Sequence, residues 1–189
     1  MTAFEYFSVA LSFVLGLGVT RLLLGALRVF RARERQKPHW IPLVWALSVF
    51  VYQLQFWWAG FELNSALPVW THQAFITLML HALLLFVAGA LILPSSQAQE
   101  RSELMEYFGH DGRWALLALT AYAALSFWTN WALFGTSPIS QVGSIVALFA
   151  VLSFLGFFVR NKRYLGVVTI VCLAHSLFAY VALAPAEYT

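Results

Sequence analysis

The chain has 189 residues, 61% of them hydrophobic and only 10% charged, with a mean hydropathy of +0.78. A soluble domain carries about 25% charged residues, so this composition excludes an ordinary water-soluble fold. The net charge of +3 and the pI near 9.2 raise nucleic acid as a partner, but the basic residues lie beside apolar segments, where they set membrane orientation instead, and nucleic-acid binding is set aside.

A spanning helix takes roughly 20 residues, which leaves room for about six in one transmembrane domain, residues 1–189. The first predicted helix covers 4–30. No basic region precedes its apolar run and no small-residue cleavage site closes it, so it is read as a retained span. The charged stretch "RARERQKPH" then leads into a second helix at 40–62, and "NSALPVW" with Pro68 separates that from a third at 71–93. The one long connection, "PSSQAQERSELMEYFGHDGR", follows. Further helices at 113–134, 139–160 and 163–184 are divided by "GTSP" and "RNKR". The lone cysteine, Cys172, falls inside an apolar segment with no metal-type spacing near it.

Lysine and arginine collect in short cytoplasmic loops. Ten of the eleven basic residues fall at alternate connections: Arg28, Arg31, Arg33, Arg35 and Lys37; Arg101 and Arg113; Arg160, Lys162 and Arg163. Both termini are therefore expected on the extracytoplasmic side. Trp40, Trp57, Trp58, Trp70, Trp114 and Trp131 lie near predicted helix ends, as interfacial anchors do. In the long cytoplasmic loop, Leu104, Tyr107 and Phe108 share a helical face while Glu100, Glu103 and Glu106 point away. That pattern is either a short amphipathic helix on the membrane surface or a loop tucked against the bundle.

The runs "FEYFSVALSFVLGLGVTRLLLGALR", "WIPLVWALSVFVYQLQFWWAGFEL" and "MEYFGHDGRW" resemble a widespread group of small bacterial multi-span membrane proteins that have no established activity. The resemblance is good over the first 62 residues and weak beyond 115. It implies a bacterial inner (cytoplasmic) membrane and an intact six-helix unit, and it transfers no functional residue.

Ionisable and polar groups inside spans are the first places to look for function. Arg21 lies ~13 Å below the predicted end of its helix at ~1.5 Å per residue. Gly18 and Gly25 share its face together with Arg28, which directs it to a helix junction. Two readings stand: a side chain snorkelling toward the cytoplasmic headgroups, with Glu100, Glu103, Glu106 or Asp111 as the acids within reach, or a residue on an anion or transport path. On the second helix, Ser48, Tyr52, Gln55, Ala59 and Glu62 recur at helical spacing, and Tyr122, Ser126 and Asn130 form a matching stripe on the fourth. Facing each other, the two stripes would line a cavity open to the outside. Their bland reading is interhelical hydrogen bonding, about 0.6 kcal/mol per contact.

His81 and His175 sit at matching depths on the third and sixth helices. A histidine pair of this kind can ligate a b-type haem, relay protons, or simply hydrogen-bond between helices. His39, His72 and His110 read as interfacial. No HExxH, GxSxG, Walker or GxGxxG pattern occurs, no catalytic residue is assigned, and no metal site or cofactor is expected apart from the haem alternative. The second and fourth spans look alike but run in the same direction, so they do not make an inverted repeat.

The sequence therefore points to an all-α integral membrane protein, a six-helix transmembrane bundle. Its expected function is non-enzymatic binding or permeation of a small solute or ion through a polar interior of Arg21, Tyr52, Gln55, Glu62, Ser126 and Asn130. The alternatives are a structural or accessory subunit of a larger membrane complex and a haem protein using His81 and His175. The lipid bilayer is the expected partner, with a homo-oligomer or a membrane complex as further possibilities.

Overall fold

A computed structural model describes residues 2–34, 38–60, 67, 69–95 and 103–183, and among these every regular element is helical. Helix α1 runs Ala3–Ala32, α2 Trp40–Ala59, α3 His72–Ile92, α4 Leu104–Tyr107, α5 Trp114–Ala132, α6 Gln141–Phe158 and α7 Lys162–Leu183. Five of them, α1, α2, α3, α6 and α7, are long and apolar enough to cross a membrane. Helix α5 is 19 residues long but is diluted by Thr120, Tyr122, Ser126, Thr129, Asn130 and its tryptophans. The long helices coincide with the predicted ones to within about three residues, the usual scatter of helix ends. The second helix is described only to Ala59, and Glu62 lies outside the described residues.

Local chemistry accounts for the starts. Thr2 and Glu5 form a reciprocal capping box on α1. Thr71 caps α3 and Ser140 caps α6 through their hydroxyls. His39 caps α2, its Nδ1 accepting from the Ile41 amide at 3.3 Å. Burial first, and the nearby Lys162 charge second, hold that imidazole below its usual pKa, which keeps it a neutral acceptor.

Helices α2, α3, α5, α6 and α7 form a ring in which α2 packs on α3 and α7, α3 on α5, α5 on α6, and α6 on α7; α1 lies outside it against α2 and α3. Large apolar residues on the outer surface, such as Phe13, Leu17, Phe30, Val167 and Val181, are exposed, as side chains facing lipid would be. At the Trp40 end, Trp45 fills the middle of the ring with no exposed surface. A Cβ on Gly156 would lie 3.0 Å from its Cζ2, so this glycine admits the indole against α6. Tryptophans 40, 57, 58, 114 and 131 are exposed at helix ends, as anchors should be, whereas Trp70 packs on Phe4 and Phe7.

The tightest junction joins α1, α2 and α3. A Cβ on Gly18 would stand 2.7 Å from Gln53 Nε2 and 3.4 Å from the Phe86 Cα; one on Gly89 would stand 3.0 Å from the same amide nitrogen. Gln53, fully buried, donates to the Leu85 carbonyl at 3.2 Å in the space these glycines leave. Two small residues thus let three backbones approach around one amide.

The segment after α3 is helical but does not lie out on a surface. Helix α4 continues into a π-helical turn, Phe108–Gly112, and Leu104, Met105, Tyr107 and Phe108 are buried under the bundle end while Glu103 and Glu106 are exposed. The expected division of faces is present for the described residues; its apolar side is covered by protein. Glu100 lies outside the described residues.

Overpacking distinguishes the two glycines of "GLG". Gly18→Leu should destabilise the protein by about 1–3 kcal/mol, read as a lower melting temperature in detergent, whereas Gly16→Leu, which has nothing within 4 Å of its Cβ position, should melt like the parent.

Candidate functional site

Between the ring helices lies a cavity of about 350 Å³. It is lined from α2 by Tyr52, Gln55 and Phe56, from α3 by His81, from α5 by Tyr122, Ser126, Thr129 and Asn130, and from α6 by Phe149, with Tyr180 of α7 near the rim. Of the first stripe, Tyr52, Gln55 and Ala59 reach the cavity. Ser48 does not line it; it is buried and donates to its own helix at Val44 O, 3.1 Å away. The second stripe reaches the cavity in full. Helices α2 and α5 meet across it through aromatic rings, Tyr52 and Phe56 each 6.1 Å from Tyr122 between centroids.

The serine, threonine and asparagine that line the cavity from α5 donate within their own helix. Ser126 donates to Tyr122 O at 2.8 Å, Thr129 to Leu125 O at 2.8 Å, and the Asn130 amide to Ser126 O at 2.8 Å. Such i−4 bonds remove donors from the cavity. What stays available is small in number. Gln55 Nε2 has no partner but is shielded from water, so it does not meet the cavity space. Asn130 retains its carbonyl oxygen. His81 Nδ1 lies 2.8 Å from Thr77 O; a carbonyl only accepts, so Nδ1 carries the proton and Nε2 is a lone-pair acceptor.

His81 and His175 each have aromatic partners of their own. His81 stacks on Phe56 at 5.5 Å and meets Tyr122 edge-on at 5.5 Å, while His175 stacks on Phe149 at 6.1 Å and its Nδ1 lies 3.4 Å from Tyr52 Oη. Tyr52 in turn stacks on Phe149 at 4.0 Å. The two imidazoles are linked through Tyr52 and Tyr122, an arrangement that suits interhelical bonding better than two axial bonds to one iron. Among the described residues no group of three or more His, Cys, Asp or Glu side chains is placed to hold a metal ion.

Arg21 is not part of this cavity. It lies at the Trp40 end, where its Nη2 points at Ala90 O, 3.5 Å away. Arg28 donates to Ser95 O, and Tyr107 Oη donates to Leu91 O at 2.8 Å and to Leu93 O at 3.3 Å. The last carbonyls of α3 have no acceptor role inside the helix; Arg21 and Tyr107 serve two of them, Ala90 O and Leu91 O, while Arg28 holds Ser95 O in the segment that follows, and both cations are favoured by the helix dipole. Arg113 does the same for α6, reaching Phe157 O at 3.1 Å and Val159 O at 3.3 Å. Arg21 thus lies at a helix junction with its polar head directed toward the C-terminal end of α3, and among the described residues no carboxylate pairs with it. His110 and Asp111, 3.7 Å apart, are an exposed pair; His72 is exposed at the start of α3. Gln53, Arg113 and the cavity role of His81 were not singled out by sequence reasoning. Only packing identifies the first two; the third was implicit in the depth match.

Comparison with family models, with curated proteins and with solved structures finds no match to this chain. The resemblance noted above therefore contributes no function, and the cavity must be read on its own chemistry.

The Tyr107 cap carries a pH signature. Burial first, and the Asp111 charge second, push its hydroxyl from 10.0 up to about 12. A raised folded pKa means the contribution is full below pH 10.0 and is lost as pH climbs through about 12. Tyr107→Phe should lower stability at neutral pH, and the gap between parent and variant, measured by thermal melting against pH, should narrow over that alkaline window. A gap that stays constant to the top of the window would contradict the assignment.

Proposed function

We propose that the chain is a six-span membrane protein whose ring of helices holds a chamber that binds a small solute from the extracytoplasmic side. The observation that carries this reading is the convergence of Tyr52, Gln55, His81, Tyr122, Ser126 and Asn130 from three helices on one cavity. Ligand sites measure about 300–1,000 Å³ and are mostly apolar and aromatic with a few placed polar groups; this cavity falls within that range and has that character.

The sixth span is α5. Its lower hydropathy has a local cause, because its polar residues Ser126, Thr129 and Asn130 face the chamber or their own backbone rather than lipid. Sidedness comes from charge. Every lysine and arginine other than Arg21 lies in or next to a connection at the Trp40 end, while the cavity rim is formed by residues of the Ala59 end such as Trp58, Phe134 and Tyr180. With positive charge inside, the chamber opens outward and both termini face outward. A bacterial inner membrane is the setting this reading adopts, following the resemblance. Trp45 and Leu116, both fully buried, meet over Gly156 on the Trp40 side of the ring and do not line the cavity, which favours a binding chamber over an open pore.

Labelling of single cysteines in a Cys172→Ser background tests both parts. In intact cells a membrane-impermeant thiol reagent should modify Ser137→Cys and, more slowly, Asn130→Cys, and should leave Asn161→Cys untouched until the cells are broken. The reverse pattern at 137 and 161 would overturn the orientation. Protection of Asn130→Cys with the outer loop labelled would overturn the outward-open chamber.

A further inference from the structure

We infer that the chamber takes an uncharged, ring-bearing solute with a hydroxyl group, a phenol-type molecule, rather than an ion; this rests on the reading of the cavity as a binding site. Three observations lead there. First, none of the described lining residues is Asp, Glu, Lys or Arg. A charged solute would leave water without an opposite charge to meet it, which is heavily penalised in an apolar site.

Second, the walls are aromatic and already arranged in stacked and edge-on pairs. Phe56 lies over His81 with an interplanar angle of 15°, Tyr52 over Phe149 at 27°, and Tyr122 stands at 87° to both Phe56 and His81. Faces and edges presented together suit a flat ring. A cavity of about 350 Å³ has room for one or two fused rings rather than a long chain.

Third, the free polar atoms are complementary to a hydroxyl. His81 Nε2 and the Asn130 carbonyl oxygen both accept. A hydroxyl can give its proton to either of them.

Equilibrium dialysis on the full-length protein in lipid nanodiscs, with empty nanodiscs subtracted, tests this with four matched probes: 1-naphthol, 1-methoxynaphthalene, 1-naphthoate and 1-naphthylmethylammonium. Saturable binding of 1-naphthol is expected, well above that of either charged probe, and lost in Ala59→Trp at the chamber rim. His81→Phe keeps a ring against Phe56 but removes the acceptor. It should weaken 1-naphthol about fivefold, the effect of one hydrogen bond, and leave 1-methoxynaphthalene unchanged. If a charged probe binds as tightly as 1-naphthol, the solute class is wrong while the chamber stands as a site. If His81→Phe weakens both neutral probes equally, or neither, the hydroxyl contact is wrong. If no probe binds the parent saturably, the binding reading itself falls.

Discussion

In a hydrocarbon surround every backbone carbonyl must find a donor within the protein, and the last turn of a helix has carbonyls that the helix itself does not serve. The Trp40 end of this molecule is organised by that requirement. Arg21 reaches from α1, and Tyr107 from the end of α4, to the C-terminal end of α3, while Arg28 reaches to Ser95 just beyond it; Arg113 reaches from the start of α5 to the end of α6. These bonds tie α1 to the ring and hold the longest connection beneath it. Gly18, Gly25 and Gly89 make the reach possible by letting the backbones come close. An arginine within an apolar run thus acts as a structural donor, with its charge near the end where the other cations collect.

The same economy of donors gives the two ends of the bundle different characters. At the Trp40 end side chains are used up on backbone carbonyls and the ring is filled by Trp45. Toward the Ala59 end the serine, threonine and asparagine of α5 are satisfied by their own helix, so the cavity offers only a few free polar atoms among aromatic rings. None of its described lining residues is Asp, Glu, Lys or Arg.

Much of the architecture was legible in the residues because helical span and turn signals are local. The apolar runs, the Pro38 and "GTSP" breaks and the spacing of Tyr52, Gln55, Ser126 and Asn130 each report on a face or an end of a single helix. What was not legible depends on which faces meet. Ser48 obeys the same periodicity as Tyr52 and Gln55, yet it lies outside the lining, buried and bonded to its own helix at Val44 O. Gln53, out of register with the stripe, turns toward α1 and α3 and becomes the centre of their junction. Matching depth placed His81 and His175 near one another, but the aromatic residues between them, which depth does not reveal, set their partners. That Arg21 meets the carbonyl of Ala90 near the end of α3 cannot be read from α1 alone.

The outward-facing chamber is tested most directly by a depth profile along one face of α5. Spin labels placed singly at Asn130, Ser126, Ala123 and Leu119 in nanodiscs would be examined for relaxation by a water-soluble nickel complex and by oxygen, which concentrates in lipid. The chamber predicts strong nickel access at 130, weaker access at 126 and 123, which also line it, and access to neither reagent at 119, which does not. High oxygen access with no nickel access along the whole face would mean that this stripe looks into lipid, and the chamber would have to be abandoned.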